Sequence, residues 1–371
     1  MKSVRSIGLG AIVCAVALAC LAMGPASAGA ASTPGWRIVA TGPAGNQNGW
    51  FTTIALSSNN AWIGGFTGAT RTSWGKPLIR HWNGRAWSLA KLPAGLSGVI
   101  RYLRASGPDN VWAFGENVKP GAATATAFAL RWNGRAWSLI RRWSGEATII
   151  GAAAVFGPND VWVFRADGDL IQHYTGGGHW SSSSIPGALS FSAASGLSSR
   201  DIWVVADGGG FPIVAHGGVG GWQISAFPNF ALGQSDPPIT GVYERTANDV
   251  WAIGGDLSAS NHWYPNLAHW NGRAWSKVGV TGNFVLTTAV SDGHGGLWAL
   301  TGWDSTGIPP HPVHFTGGRL KTVSLARVGG RYVGVYALAG IPGSQSVWGA
   351  GMLSGLGSLG QQTAVILKYG R

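Results

Sequence analysis

Seven tryptophans set the period of this chain. Trp62, Trp112, Trp162, Trp203, Trp251, Trp298 and Trp348 follow one another at intervals of 50, 50, 41, 48, 47 and 50 residues. Self-similarity on this scale marks a repeat architecture, in which each copy needs its neighbours to bury an apolar face. Four of the tryptophans close nearly the same tetrapeptide: Asp109-Asn110-Val111-Trp112, Asn159-Asp160-Val161-Trp162, Arg200-Asp201-Ile202-Trp203 and Asn248-Asp249-Val250-Trp251. A second motif, His81-Trp82-Asn83-Gly84-Arg85-Ala86-Trp87-Ser88, returns unchanged from His269 to Ser276. It also returns from Arg131 to Ser138, with Arg131 in place of the histidine.

Each copy reads as four short antiparallel strands, a to d. In the second copy strand a is predicted over 99–106, b over 111–115, c over 127–132 and d over 136–140. Gly107-Pro108-Asp109-Asn110 supplies breakers between a and b. Asn133-Gly134 suits a tight c–d hairpin, because both residues tolerate positive φ. Four strands per copy and seven copies predict an all-β, seven-bladed β-propeller. The final copy stops in the c–d turn after Val365–Tyr369, and the missing strand d stands at the other end as Gly35-Trp36-Arg37-Ile38-Val39. The ring is therefore expected to close by pairing these segments, which removes the two open edges of a linear array.

The combination N-D-V-W-A-x-G followed by H-W-N-G-x-x-W resembles that of secreted bacterial β-propeller repeat proteins, and more loosely kelch and galactose-oxidase-type repeats. Paired glycines of the kelch kind stand at Gly64-Gly65 and Gly254-Gly255, with Gly208-Gly209-Gly210 similarly placed, though not in every copy. The likeness covers essentially the whole of 29–371 and implies architecture. It implies little about activity, because propellers host lectins, lyases, hydrolases, oxidases and scaffolds.

Lys2 and Arg5, the largely apolar run from Ile7 to Met23 and the small residues Ala26-Ser27-Ala28 read as a secretory signal peptide over 1–28. The expected mature protein, 29–371, is extracellular, monomeric and without a transmembrane segment. Both cysteines, Cys14 and Cys20, fall in the leader. No disulfide, zinc cluster, cysteine nucleophile or Tyr–Cys copper site is then expected, and no cofactor. No calcium loop, P-loop, H-E-x-x-H zinc motif or specific nucleic-acid motif is present. The net charge of +12 favours anionic partners such as acidic polysaccharides.

What recurs in every blade is assigned to the scaffold, and what breaks the repeat to function. By this rule the strand-b tryptophans pack blade against blade. His81, His173, His216, His269 and His314, one per blade, cannot converge on a metal and are expected to stack on an adjacent aromatic. The Asp and Asn residues of the a–b turns are expected to bond nearby main-chain N–H groups. The b–c loops, which share a face with the d–a connections, vary most and are the expected place for binding residues. They and the d–a connections carry the ligand-binding candidates Arg71, Trp74, Trp143, Trp263, Tyr264, Trp303, Asp256 and Asp304. Aromatic rings there suit stacking on sugars. Glu116, Asp167 and Asp207 join Asp256 and Asp304 at the ends of strand b, a set expected to be scattered around a rim.

These features point first to a non-catalytic binding protein for a carbohydrate or an anionic extracellular polymer. One alternative is a polysaccharide hydrolase or lyase at the mouth of the central channel. Its acids would come from Glu146, Asp236, Asp256 and Asp304, and its bases from His262 or Tyr264. Another is a protein-interaction scaffold. Two or more ionisable side chains meeting in the mouth would favour the enzyme.

Overall fold

A computed structural model describes residues 35–42, 47–70, 73, 75–118, 125–145, 148–228, 230, 239–257, 262–302, 307–355 and 358–370. The signal-peptide expectation lies outside them. The repeats build seven four-stranded antiparallel sheets, each in the order a-b-c-d. Blade 1 comprises Asn48–Ser57, Asn60–Thr67, Lys76–Trp82 and Trp87–Leu89. Blade 7 comprises Tyr332–Gly340, Val347–Gly355 and Ser358–Tyr369, with Trp36–Thr41 as its fourth strand. Trp36 pairs with Tyr369, Ile38 with Leu367 and Thr41 with Val365. Closure is as the sequence requires, and the fold is a seven-bladed β-propeller.

Each apolar cluster of the main core spans two neighbouring blades, and each contains one strand-b tryptophan from the repeat. Trp62 packs with Leu103 and Val111, Trp112 with Val161, Trp162 with Ile202, and Trp203 with Val250. Trp251 packs with Leu297, Trp298 with Val335, and Trp348 with Trp50. All seven indoles are buried. Seven interfaces of this kind explain how a chain with no cysteine beyond position 20 holds a ring together by packing.

Four of the repeated histidines lie flat on these indoles, with centroid separations of 4.0 Å in His81–Trp62 and His173–Trp162 and 4.3 Å in His216–Trp203 and His314–Trp298, and His269 lies tilted over Trp251 at 4.4 Å. Where Lys368 replaces the histidine its ammonium lies 5.4 Å from the Trp348 ring. One expectation needs correcting. The residue two before the strand-b tryptophan bonds across the sheet to the histidine rather than only to its own turn. His173 Nε2 meets Asp160 at 2.9 Å, His216 meets Asp201 at 2.6 Å and His81 meets Asn60 at 3.0 Å. Asp292 does both, accepting from His294 N and Gly296 N while meeting His314 at 2.9 Å. The imidazole is thus clamped between a ring face and an oxygen, which is scaffold work.

Strand d of blade 2 is longer than expected, running over Trp137–Gly145. Arg141, Arg142 and Trp143 therefore belong to a strand and not to a d–a connection. Trp143 pairs opposite Ala127 and fills the gap to blade 3, where Arg165 lies 4.6 Å from its ring and Trp180 meets it edge-on at 5.5 Å.

Candidate functional site

The innermost strand slips its register once near its start in every blade. The slips fall between Trp50 and Thr52, Ile100 and Tyr102, Ile150 and Ala152, Phe191 and Ala193, Ile239 and Gly241, Leu286 and Thr288, and Val335 and Ala337. The residues left over are Phe51, Arg101, Gly151, Ser192, Thr240, Thr287 and Tyr336. A bulge re-aims the side chain it carries, and all seven residues line the axial channel, a cavity of about 990 Å³. Because the slip comes early in strand a, the ring they form lies at the end shared with the b–c loops. The bulge repeats but its side chain does not.

The ring is lopsided. On one side the Phe51 ring has Tyr336 edge-on at 5.5 Å and the Arg101 guanidinium at 4.9 Å from its centroid. Arg101 Nε also donates to Glu116 Oε1 at 2.7 Å. On the other side stand three hydroxyls. Thr240 donates to Leu286 O at 3.2 Å, Ser192 to Val205 O at 3.4 Å and Thr287 to Leu300 O at 3.5 Å. With their protons given to main-chain carbonyls, these oxygens present lone pairs as acceptors. The mouth therefore offers an aromatic and cationic arc on blades 7, 1 and 2, facing a hydroxyl arc on blades 4, 5 and 6.

A recess of about 470 Å³ adjoins the mouth beside Arg101, Tyr102, Glu116, Gly151, Ser192 and Asp207. Tyr102 forms part of its wall and donates to Gly151 O at 2.6 Å. Glu116 Oε2 is buried and has no hydrogen-bond partner. Gly151 is fixed by close approach, since a Cβ there would lie 1.8 Å from the carbonyl oxygen of Phe191 in the next blade. Gly151→Ala is expected to force strand a of blade 4 outward at a cost of about 1–3 kcal/mol. The chemical-denaturation midpoint should fall accordingly, and an unchanged midpoint would refute the contact.

Burial pushes the Tyr336 phenol up to about 12. It also raises Tyr102, with the Glu116 charge adding to the effect. Both shifts run against use of either phenol as a base near neutral pH. Two ionisable side chains do meet in the mouth, Arg101 and Glu116, but as an ion pair.

The sequence candidates are placed unevenly. Arg71, Trp74, Trp303 and Asp304 lie outside the described residues, as do Glu146 and Asp236. Trp143 is 8% exposed and Asp256 1%, so both are interior groups. Trp263 and Tyr264 begin strand c of blade 5, with Tyr264 40% exposed and His262 4.7 Å from its ring. Each of three strand-b carboxylates has its own local partner. Glu116 holds Arg101, Asp167 accepts from Ile149 N, and Asp207 accepts from Gly209 N and Gly210 N. Sequence reasoning missed Phe51, Arg101 and Tyr336 because they lie inside a strand taken as scaffold. It also missed Phe211, 73% exposed in the blade 4 b–c loop, whose Gly209 approaches the exposed Leu189. The aromatic directly after Gly208-Gly209-Gly210 was the available signal.

No protein family and no curated protein matches the chain. Solved structures do. YCF48 from Cyanidioschyzon merolae is 16% identical, with 90% of this chain and 98% of that one covered and a TM-score of 0.56. Another YCF48 structure holds a D1 peptide. Virginiamycin B lyase from Staphylococcus aureus, solved with quinupristin as an inactive variant, is 13% identical over 90% of this chain and 99% of that one, with a TM-score of 0.56. The WD40 repeats of RRP9 are 9% identical over 90% and 96%, with a TM-score of 0.57. The likeness is one of fold. These neighbours include a lyase and WD40 repeats, so the shared fold leaves function to the site itself.

Proposed function

We propose that this chain is a secreted, non-catalytic binding protein that takes a carbohydrate in the channel mouth. The observation that supports this is the two-sided ring of bulged residues. A sugar ring has an apolar C–H face and a rim of hydroxyls that both donate and accept. Phe51 and Tyr336 suit the face. Arg101 supplies donors, while Ser192, Thr240 and Thr287 supply acceptors. Charge decides between a neutral sugar and a polyanion here. Among the described residues the mouth and its recess balance Arg101 and Arg104 against Glu116 and Asp207. The exposed Tyr264, with Trp263 beside it, would extend contact along the loop face of blade 5.

A glycan array followed by calorimetry tests the reading. Arg101→Gln is expected to weaken the best array ligand about tenfold to a hundredfold, the worth of a charged hydrogen bond. Ser192→Tyr, at an exposed position, should abolish binding by filling the mouth without disturbing the fold. Silence across the array, or binding indifferent to both substitutions, would sink it.

The exposed Leu189 and Phe211 favour a second reading, a protein or peptide partner on the same face. In that case a displayed-peptide library, rather than the array, yields a ligand lost in Phe211→Ser.

A further inference from the structure

The recurring Asn-Gly-Arg turns contain a residue that the scaffold does not use. Asn83 Oδ1 accepts from Arg85 N at 3.0 Å and Ala86 N at 2.9 Å, and Asn133 and Asn271 repeat the pattern. Gly84, Gly134 and Gly272 take up the required positive φ of 92°, 90° and 91°. Asparagine and glycine thus close each turn through main-chain chemistry. The arginine side chain that follows is exposed in all three copies. Arg85, Arg135 and Arg273 make no side-chain hydrogen bond or ion pair among the described residues. A residue that recurs in three blades with no structural task is best explained by something outside the fold.

All three lie on the face opposite the channel mouth, because c–d turns and b–c loops emerge at opposite ends of the strands. Arg319 opens strand d of blade 6 at the equivalent turn, and Arg200 sits in the a–b turn of blade 4, both exposed. The acids of this face are largely committed: Asp160 to His173, Asp201 to His216, Asp249 to Arg245 and His269, and Asp292 to His314. Asp109, exposed in the blade 2 a–b turn, is the exception among the described residues. The turn face therefore displays exposed arginines on five blades against one uncommitted acid among the described residues, whereas the mouth is balanced.

We infer that the turn face is a second binding site, a ring of guanidinium groups that docks a linear acidic polysaccharide. Arginine forks fit carboxylate and sulfate groups. A flexible chain can follow successive turns around a curved rim, as a rigid duplex cannot. Single-stranded nucleic acid would want exposed rings for base stacking. The exposed aromatics among the described residues, Phe211 and Tyr264, belong to the other face. A bilayer would want apolar side chains to insert, and those of this face, Leu197 and Val219, are confined to blade 4.

Heparin is the probe. The triple variant Arg85→Ala/Arg135→Ala/Arg273→Ala should bind it at least tenfold more weakly at low salt and elute earlier from a heparin column. The slope of log affinity against log salt should become shallower by about two to three, close to one per lost contact. Its melting temperature should match the parent, and the corresponding triple lysine variant should retain most of the affinity. Ser192→Tyr should leave heparin binding intact, which separates this site from the mouth. Co-elution of the alanine triple with the parent would overturn the inference. So would equal loss in Ser192→Tyr, or tighter binding of oligothymidylate or anionic vesicles than of heparin at the same salt.

Discussion

Removing the strand Trp36–Thr41 is expected to collapse the ring rather than trim it. That strand contributes the outer hydrogen bonds of blade 7, pairing with Tyr369, Leu367 and Val365. The Trp36 indole also enters the blade 6–7 interface, edge-on to Trp298 at 5.4 Å and 5.6 Å from the Tyr369 ring. A chain lacking 1–41 would leave Ser358–Tyr369 as an open edge, which invites pairing with other molecules. Loss of the cooperative melt and a shift to large oligomers in size-exclusion chromatography are the expected results. Trp36→Ala is the milder test, costing about 2–4 kcal/mol for a partly buried indole. A truncated protein that melts with the parent as a monomer would show that closure is dispensable.

The second large effect is a pH dependence set by Glu244. This residue lies on the inner strand of blade 5, 6% exposed, and both its carboxyl oxygens lack a hydrogen-bond partner. Burial first, then the charge of Asp201, pushes the carboxyl up from 4.5 to about 8. At neutral pH Glu244 therefore holds a proton, while Asp201 beside it is held by His216. The folded state binds this proton between about pH 4.5 and 8 while the unfolded chain releases it. Stability from this group is thus full below about pH 4.5 and is lost as pH rises through about 8. The loss is on the order of 2–4 kcal/mol, discounting the full shift for relaxation of the site. Urea midpoints should fall from pH 5 to pH 9 in the parent and change less in Glu244→Gln. Parallel pH profiles for the two proteins would remove Glu244 from the account.

Much of this architecture was legible because it is written locally and repeatedly. The strand-b tryptophans fix the period, Asn-Gly pairs mark the c–d hairpins, and the Trp36 segment matches Trp87, Trp137 and Trp275 closely enough to reveal closure. The mouth was illegible for a physical reason. Its seven residues are defined by a slip of backbone register that each blade makes with a different side chain, from Gly151 to Arg101, so no residue type announces it. Trp143 misled in the opposite sense. Its departure from the repeat serves an interface with Arg165, showing that novelty in a copy can also be packing. The recurring arginines qualify the same rule, since repetition there accompanies a side chain with no role in the turn.

Because the first and last strands lie side by side in one sheet, the seam of the chain is a matter of phase. Bridging Tyr369 to Trp36 and reopening the backbone at Asn133-Gly134 would yield the same ring with its start moved two blades along. Descent of such a molecule through gain or loss of units is therefore quantised: a change of whole blades, cut at any phase, preserves the seal, whereas a fraction of one leaves an edge exposed.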